Sequence, residues 1–214
     1  MKYVIMCGGN YKDFDEPKQM TLVHGERLVD RTIRLLREAG AKDICITSLD
    51  IRFESCGVPV LKHENNFVVK NNETVHGFWL DAFYPHFTDD TQVTYLFGDV
   101  WFTKAAIETI VNAHVTQNTL VGNKTAMNEW HANIGEPFAY IVTDYRTFME
   151  GVEAVKRMYV QKLLLRHPIV WELYRYLNGL EVNIQTIIPE TYICIDDGTI
   201  DIDRPEEIER LGEE

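Results

Sequence analysis

The first fifty residues constrain the architecture more than any other part of the chain. Val4 to Cys7 is a short, continuously apolar strand, and Gly8-Gly9-Asn10 turns the chain out of it. After a polar loop, Leu28, Ile33, Leu35, Leu36 and Ala39 recur at near-helical spacing within Arg27 to Ala39, and Gly40 follows as a helix stop. Asp43 to Thr47 is then a second apolar strand. A strand without polar alternation is covered on both faces, and a strand, helix, strand succession joins parallel neighbours. The opening therefore predicts a parallel sheet with helices on both sides.

The rest continues in kind. Pro59 to Leu61, Gln92 to Phe97, Thr119 to Gly122, Phe138 to Val142, Val182 to Ile188 and Tyr192 to Ile195 read as strands. Thr74 to Tyr84, Lys104 to His114, Tyr145 to Gln161 and Val170 to Asn178 read as helices, with Thr103 capping the second and Gly179 stopping the last. Pro205 to Leu211 closes the chain as a short helix with Pro in its first turn and acids near its start. No linker-like or repeated tract interrupts the 214 residues. The expectation is one domain, 1–214, a three-layer α/β/α fold around a mainly parallel, Rossmann-like mixed sheet.

Charge narrows the partners. The chain carries 33 acids against 21 Lys and Arg, a formal −12, whereas binding a phosphate backbone needs a basic surface. A nucleic-acid polymer is thereby excluded. A nucleotide is not, because one local cationic patch helped by a divalent cation can hold a triphosphate. The apolar start is too short for a secretory leader, and no apolar stretch approaches the roughly 20 residues that span a bilayer, so a cytoplasmic protein without a membrane partner is expected. Cys7, Cys45, Cys56 and Cys194 stand far apart, with no CxxC pair or zinc-ligand spacing, and read as structural thiols.

Two places could carry chemistry on their own terms. Gly8 and Gly9 allow a backbone whose N–H groups face phosphate oxygens, although a Gly-Gly after a strand is equally a turn with no ligand, and no GxGxxG or GxxxxGK[ST] pattern is present. Tyr95-Leu96-Phe97-Gly98-Asp99 delivers an acid at the carboxyl end of a buried strand, the edge where ligands of open α/β sheets collect. Asp99 reads either as a metal ligand or as a helix cap, and Thr103 already supplies a cap.

The order of strand, Gly-rich loop, Glu16-Pro17-Lys18 and a Val23-His24-Gly25-Glu26-Arg27-Leu28-Val29 turn into a helix resembles the nucleotidyltransferases that activate sugar 1-phosphates and phosphocholine. The resemblance implies a nucleotide-diphospho-sugar transferase type of fold and a Mg2+ cofactor. It sets Met6, Cys7, Gly8, Gly9, Asn10 and Gly98 against the nucleotide and Lys18 against its phosphates. The family loop carries an arginine after its glycines. Here Lys12 is the cation at that place, flanked by Asp13 and Asp15.

Asp99 matches the family's first magnesium ligand, and the segment Ile200 to Ile208 resembles its closing Asp-Thr-Pro-Glu-Asp element, with Asp203 on the Asp. Magnesium takes hard oxygens, commonly one or two carboxylates plus waters and phosphates, so Asp99 with Asp203 would suffice. Asp201, on the same strand face, is the next choice, and a cap of the closing helix is the other reading of Asp203. Asn72 and Thr74, in Asn71-Asn72-Glu73-Thr74, and Glu129 and Trp130, in Asn128-Glu129-Trp130, resemble the phosphocholine cytidylyltransferase branch as nucleotide and acceptor contacts. Both motifs are short, and Asn71-Asn72 before a helix is also an ordinary turn and cap. Trp171 reads as core packing or as a further acceptor contact.

The expected reaction moves a nucleoside monophosphate from an NTP, CTP favoured, to a phosphorylated small molecule with release of pyrophosphate. The acceptor stays open among sugar, choline and polyol phosphates, the last destined for a surface polysaccharide, and a homodimer is left open. Two rivals stand beside it. One is a type-A glycosyltransferase using Asp201-Ile202-Asp203 as its Asp-x-Asp, and the other is a non-catalytic nucleotide-binding domain, to which the missing arginine points.

Overall fold

A computed structural model of the chain describes residues 1–8, 14, 16–63, 67–70, 73–123, 135–209 and 211, with the backbone alone at 68–70 and 73–76. The chain runs through strand β1 (Lys2–Met6), the short pair β2 (Leu22–Val23) and β3 (Glu26–Arg27), helix α1 (Leu28–Glu38), and strands β4 (Asp43–Thr47) and β5 (Val60–Leu61). It continues with β6 (Val68–Lys70), β7 (Glu73–His76), β8 (Val93–Phe97), β9 (Val100–Trp101), α2 (Lys104–Val111), β10 (Thr119–Gly122) and β11 (Pro137–Val142). It closes with α3 (Tyr145–Val160), α4 (Val170–Leu177), β12 (Tyr192–Cys194), β13 (Ile200–Asp201) and α5 (Pro205–Ile208).

Among the described residues the main sheet has seven strands in the order β12-β10-β11-β8-β1-β4-β5. Every neighbouring pair is parallel except the two that involve β11, so β11 alone runs against the rest. The apolar runs that predicted double coverage behave accordingly: β8 is buried at every position, as is β1 after Lys2. α1 packs with α2 and α3 with α4, flanking the sheet. Around α3, Tyr95, Tyr140 and Phe83 gather on the fully buried Phe148, the Phe83 ring edge-on to it at 4.9 Å.

The chain leaves β1 through α1 to β4 on one side, while β8 flanks β1 on the other. That reversal opens a crevice beyond the carboxyl ends of β1 and β8. Over it lies a separate ribbon, β9 paired antiparallel with β13, whose inner side feeds a small second core of Val23, Leu28, Trp101 and Ile202.

Two expected elements are corrected. The segment 74–84, expected as helix, begins in β7, which pairs with β6, then turns at Gly77, whose φ of +68° stops a right-handed helix, and continues as a single 3-10 turn, Trp79–Ala82. The segment 182–188, expected as a strand, pairs with no other strand among the described residues. Side chains take its backbone groups instead: Arg175 donates to the Val182 carbonyl at 2.7 Å and the Ile188 N–H donates to the Tyr174 hydroxyl at 2.8 Å. No helix among the described residues is long and apolar enough to cross a membrane.

Candidate active site

The crevice is built on a close backbone approach. Gly98 N–H donates to the Met6 carbonyl at 3.1 Å, which ties the end of β8 to the end of β1. A Cβ at Gly98 would stand 2.3 Å from that carbonyl oxygen, so only glycine fits. Cys7 is buried beside it, and burial, then Cys56 and Asp99, push its thiol well above the ordinary range, which makes it an unreactive small hydrophobe. Gly8, just beyond, is exposed.

Asp99 emerges directly after Gly98, and Lys18, 81 residues away along the chain, reaches it. Lys18 opens a 3-10 turn, Lys18–Met20, set by Pro17, and its side chain is only 13% exposed. Its ammonium donates to Asp99 Oδ2 at 3.1 Å and to the Ile202 carbonyl at 2.7 Å, and stands 3.6 Å from Asp203 Oδ1. The alternation of Asp201-Ile202-Asp203 explains the arrangement: Ile202 goes into the small second core, while the acids on either side of it turn to the lysine.

Three carboxylates thus surround one ammonium. Burial lowers the proton affinity of Lys18, but Asp99, Asp201 and Asp203 together outweigh it and hold the lysine above its ordinary value, hence charged. Asp201 sits on the losing side. Burial first, then repulsion from Asp99 and Asp203, pushes it well above the usual carboxylate range, with Lys18 only partly opposing. Its Oδ1 is buried with no hydrogen-bond partner among the described residues.

A site with surplus carboxylate charge and an orphaned buried oxygen fits a hard divalent cation, which completes its shell with waters and phosphates. Among the described residues no group of three or more His, Cys, Asp and Glu side chains is closed around a common metal position. Two carboxylates suffice for Mg2+, so the donor set of Asp99, Asp201 and Asp203 meets the requirement.

The structure therefore brings together Lys18, Gly98, Asp99 and Asp203 from the sequence reading and places Met6 and Cys7 at the crevice floor. Asp201, second choice from the sequence, is the more enclosed acid, whereas the Asp203 side chain is 72% exposed. The alternative reading of Asp203 as a helix cap fails, because Arg204 holds the N-cap position of α5 and Asp203 lies one residue before it. Trp171 takes the packing reading: it is 4% exposed and stacked on Tyr192 at 6.1 Å. Thr74 lies on β7 rather than on a helix. Gly9, Asn10, Lys12, Asn72, Glu129 and Trp130 lie outside the described residues.

No protein-family model matches the chain, and no curated protein matches it either. Solved structures do. One is the CTP:phosphocholine cytidylyltransferase LicC from Streptococcus pneumoniae, at 14% identity over 98% of this chain and 96% of that one, with a TM-score of 0.53. Another, from Bacillus anthracis and in complex with sucrose, is described as a glucose-1-phosphate thymidylyltransferase, at 14% identity over 98% and 92%, with a TM-score of 0.58. What is shared at this identity is the fold, and it is the α/β fold of nucleotidyltransferases.

Proposed function

We propose that this chain is a Mg2+-dependent nucleotidyltransferase that moves a nucleoside monophosphate from an NTP to a phosphorylated small molecule, releasing pyrophosphate. The observation that carries the reading is the meeting of Lys18, Asp99, Asp201 and Asp203 beyond the carboxyl ends of β1 and β8. CTP is the favoured donor, a sugar, choline or polyol phosphate the acceptor, and the cytoplasm the expected location. Asp99 and Asp201 would hold the cation, with Asp203 completing the set. Bound there, Mg2+ supplies charge neutralisation at the phosphates.

The chain's own residues supply the rest. The backbone N–H at Gly8 can face phosphate oxygens, and the Gly98 N–H, given to the Met6 carbonyl, keeps that floor rigid. Lys18 is kept protonated by its carboxylates, so its ammonium is ready to stabilise the negative charge that grows on the departing pyrophosphate. Its long contact with the exposed Asp203 is the one it can exchange for a phosphate oxygen without releasing Asp99 or Ile202.

Asp201-Ile202-Asp203 also has the Asp-x-Asp form of a type-A glycosyltransferase, and both acids stand at the site. The products separate the readings: incubation of NTPs and nucleotide sugars with phosphorylated acceptors and Mg2+ should yield pyrophosphate. Release of a nucleoside diphosphate in its place would refute the transferase reading.

A further inference from the structure

We propose that Asp197 is a positioning residue that fixes the spacing of Asp99 and Asp201. The role rests on the nucleotidyltransferase reading, because it acts through those two acids. Their separation is set by the β9–β13 ribbon, which pairs only Ile200 with Trp101 and Asp201 with Val100, extended by one bond from the Ile202 N–H to the Asp99 carbonyl at 3.0 Å. Two residues a side are too few to hold a register unaided. At the Asp99 end, Lys18 and the burial of Ile202 in the small core secure it, while Trp101 enters the same core from the other end.

The other end is closed by a side-chain clasp. Asp197 Oδ2 accepts the Thr103 hydroxyl at 2.6 Å, and its Oδ1 accepts the Thr199 N–H at 2.7 Å. Thr199 Oγ1 in turn accepts the Thr103 N–H at 3.1 Å. Thr103 lies two residues beyond β9 and Thr199 one residue before β13, so these bonds join the strands where the ribbon would fray. Thr103 and Thr199 are both buried, at 8% and 4% exposed. The cap of α2 does not require Asp197, since the Thr103 hydroxyl accepts the Ala106 N–H at 3.0 Å by itself. The carboxylate therefore serves the ribbon, and through it the two acids.

The test measures Mn2+ binding by the electron paramagnetic resonance of free Mn2+, with and without CTP, with no turnover required. Asp197→Ala is expected to weaken Mn2+ binding about tenfold, the low end for groups that orient metal ligands. Asp197→Asn, which keeps an acceptor for the Thr199 N–H, should recover most of it. Asp144→Ala is the control: it removes a cap of the same kind from α3, where Asp144 accepts the Thr147 N–H at 3.0 Å, and should leave Mn2+ binding unchanged. If Asp197→Ala melts no lower than Asp144→Ala and binds Mn2+ as the parent does, the positioning role is overturned. Should Asp197→Ala not fold, Thr199→Val removes the hydroxyl that accepts the Thr103 N–H and donates to Thr103 Oγ1 at 3.5 Å, and leaves both Asp197 bonds in place. It is expected to weaken Mn2+ by a smaller factor, and parental affinity in that variant overturns the role. A parent chain that binds neither Mn2+ nor Mn2+ with CTP removes the nucleotidyltransferase reading and this role with it.

Discussion

At the scale of single residues, the chemistry turns on which acid bears the strain. Asp201 has its proton affinity raised by burial, then by Asp99 and Asp203. A carboxyl raised in the folded state contributes stability below its unfolded value, roughly pH 4, and loses it as the pH climbs through its folded value. Asp201→Asn cannot ionise, so it should melt about 2–4 °C above the parent at pH 7, the shift that ~1 kcal/mol makes in a chain of this length, with the gain vanishing near pH 4. It should also lose pyrophosphate release, since functional sites trade stability for activity. A lower melting point at pH 7 would contradict the burial argument. Lys18→Met, measured by the same assay, should cut turnover by about 10²–10³, as loss of a donor to developing charge does. Lys18 and Asp99 were legible in the sequence because each sits beside a backbone signal, Pro17 and Gly98. The ranking of Asp201 and Asp203 was not, because the two alternate with Ile202 and share one strand face. Only the pairing of Asp201 with Val100 encloses one and leaves the other in water.

At the scale of elements, periodicity succeeded where the backbone satisfies itself and failed where side chains intervene. α1, α2, α3 and α4 appear at the positions their spacing predicts, and Gly40 and Gly179 take positive φ just past α1 and α4. The alternation of Val182, Ile184 and Thr186 reads as a strand, yet Arg175, Tyr174 and the Asn183 side chain hold this segment and its neighbours in place of a partner strand. Sequence gave no sign that Glu172 and Arg175 would be buried together, at 3% and 2% exposed. Glu172 Oε1 accepts from Arg175 at 3.3 Å and from Arg166 at 2.8 Å, while its Oε2 accepts the Ile169 N–H at 3.0 Å. Removing one partner of such a pair strands the other charge. Glu172→Ala should therefore cost about 3–5 kcal/mol in urea unfolding with an unchanged slope. A loss below ~1 kcal/mol would mean that water reaches the Arg175 guanidinium.

At the scale of the whole molecule, the sheet was legible and the site was only partly so, for one reason. Continuous apolar strands and glycine stops are local signals, whereas the site joins segments far apart: Lys18 lies 81 residues from Asp99 and 184 from Ile202 along the chain. Such a site exists only in the folded state, so a ligand that spans it binds the native chain and leaves the unfolded one alone. At a hundredfold over its dissociation constant, it adds about 2.7 kcal/mol. Mg2+ with CTP should then raise the melting temperature by about 5–11 °C, and more than Mg2+ with the other NTPs. The rise should need the cation, because the crevice already holds three carboxylates against one lysine and repels a bare triphosphate. Thermal melting with CTP in Mg2+ and then in EDTA reads both terms. An equal rise in EDTA would mean that the nucleotide binds away from Asp99 and Asp201.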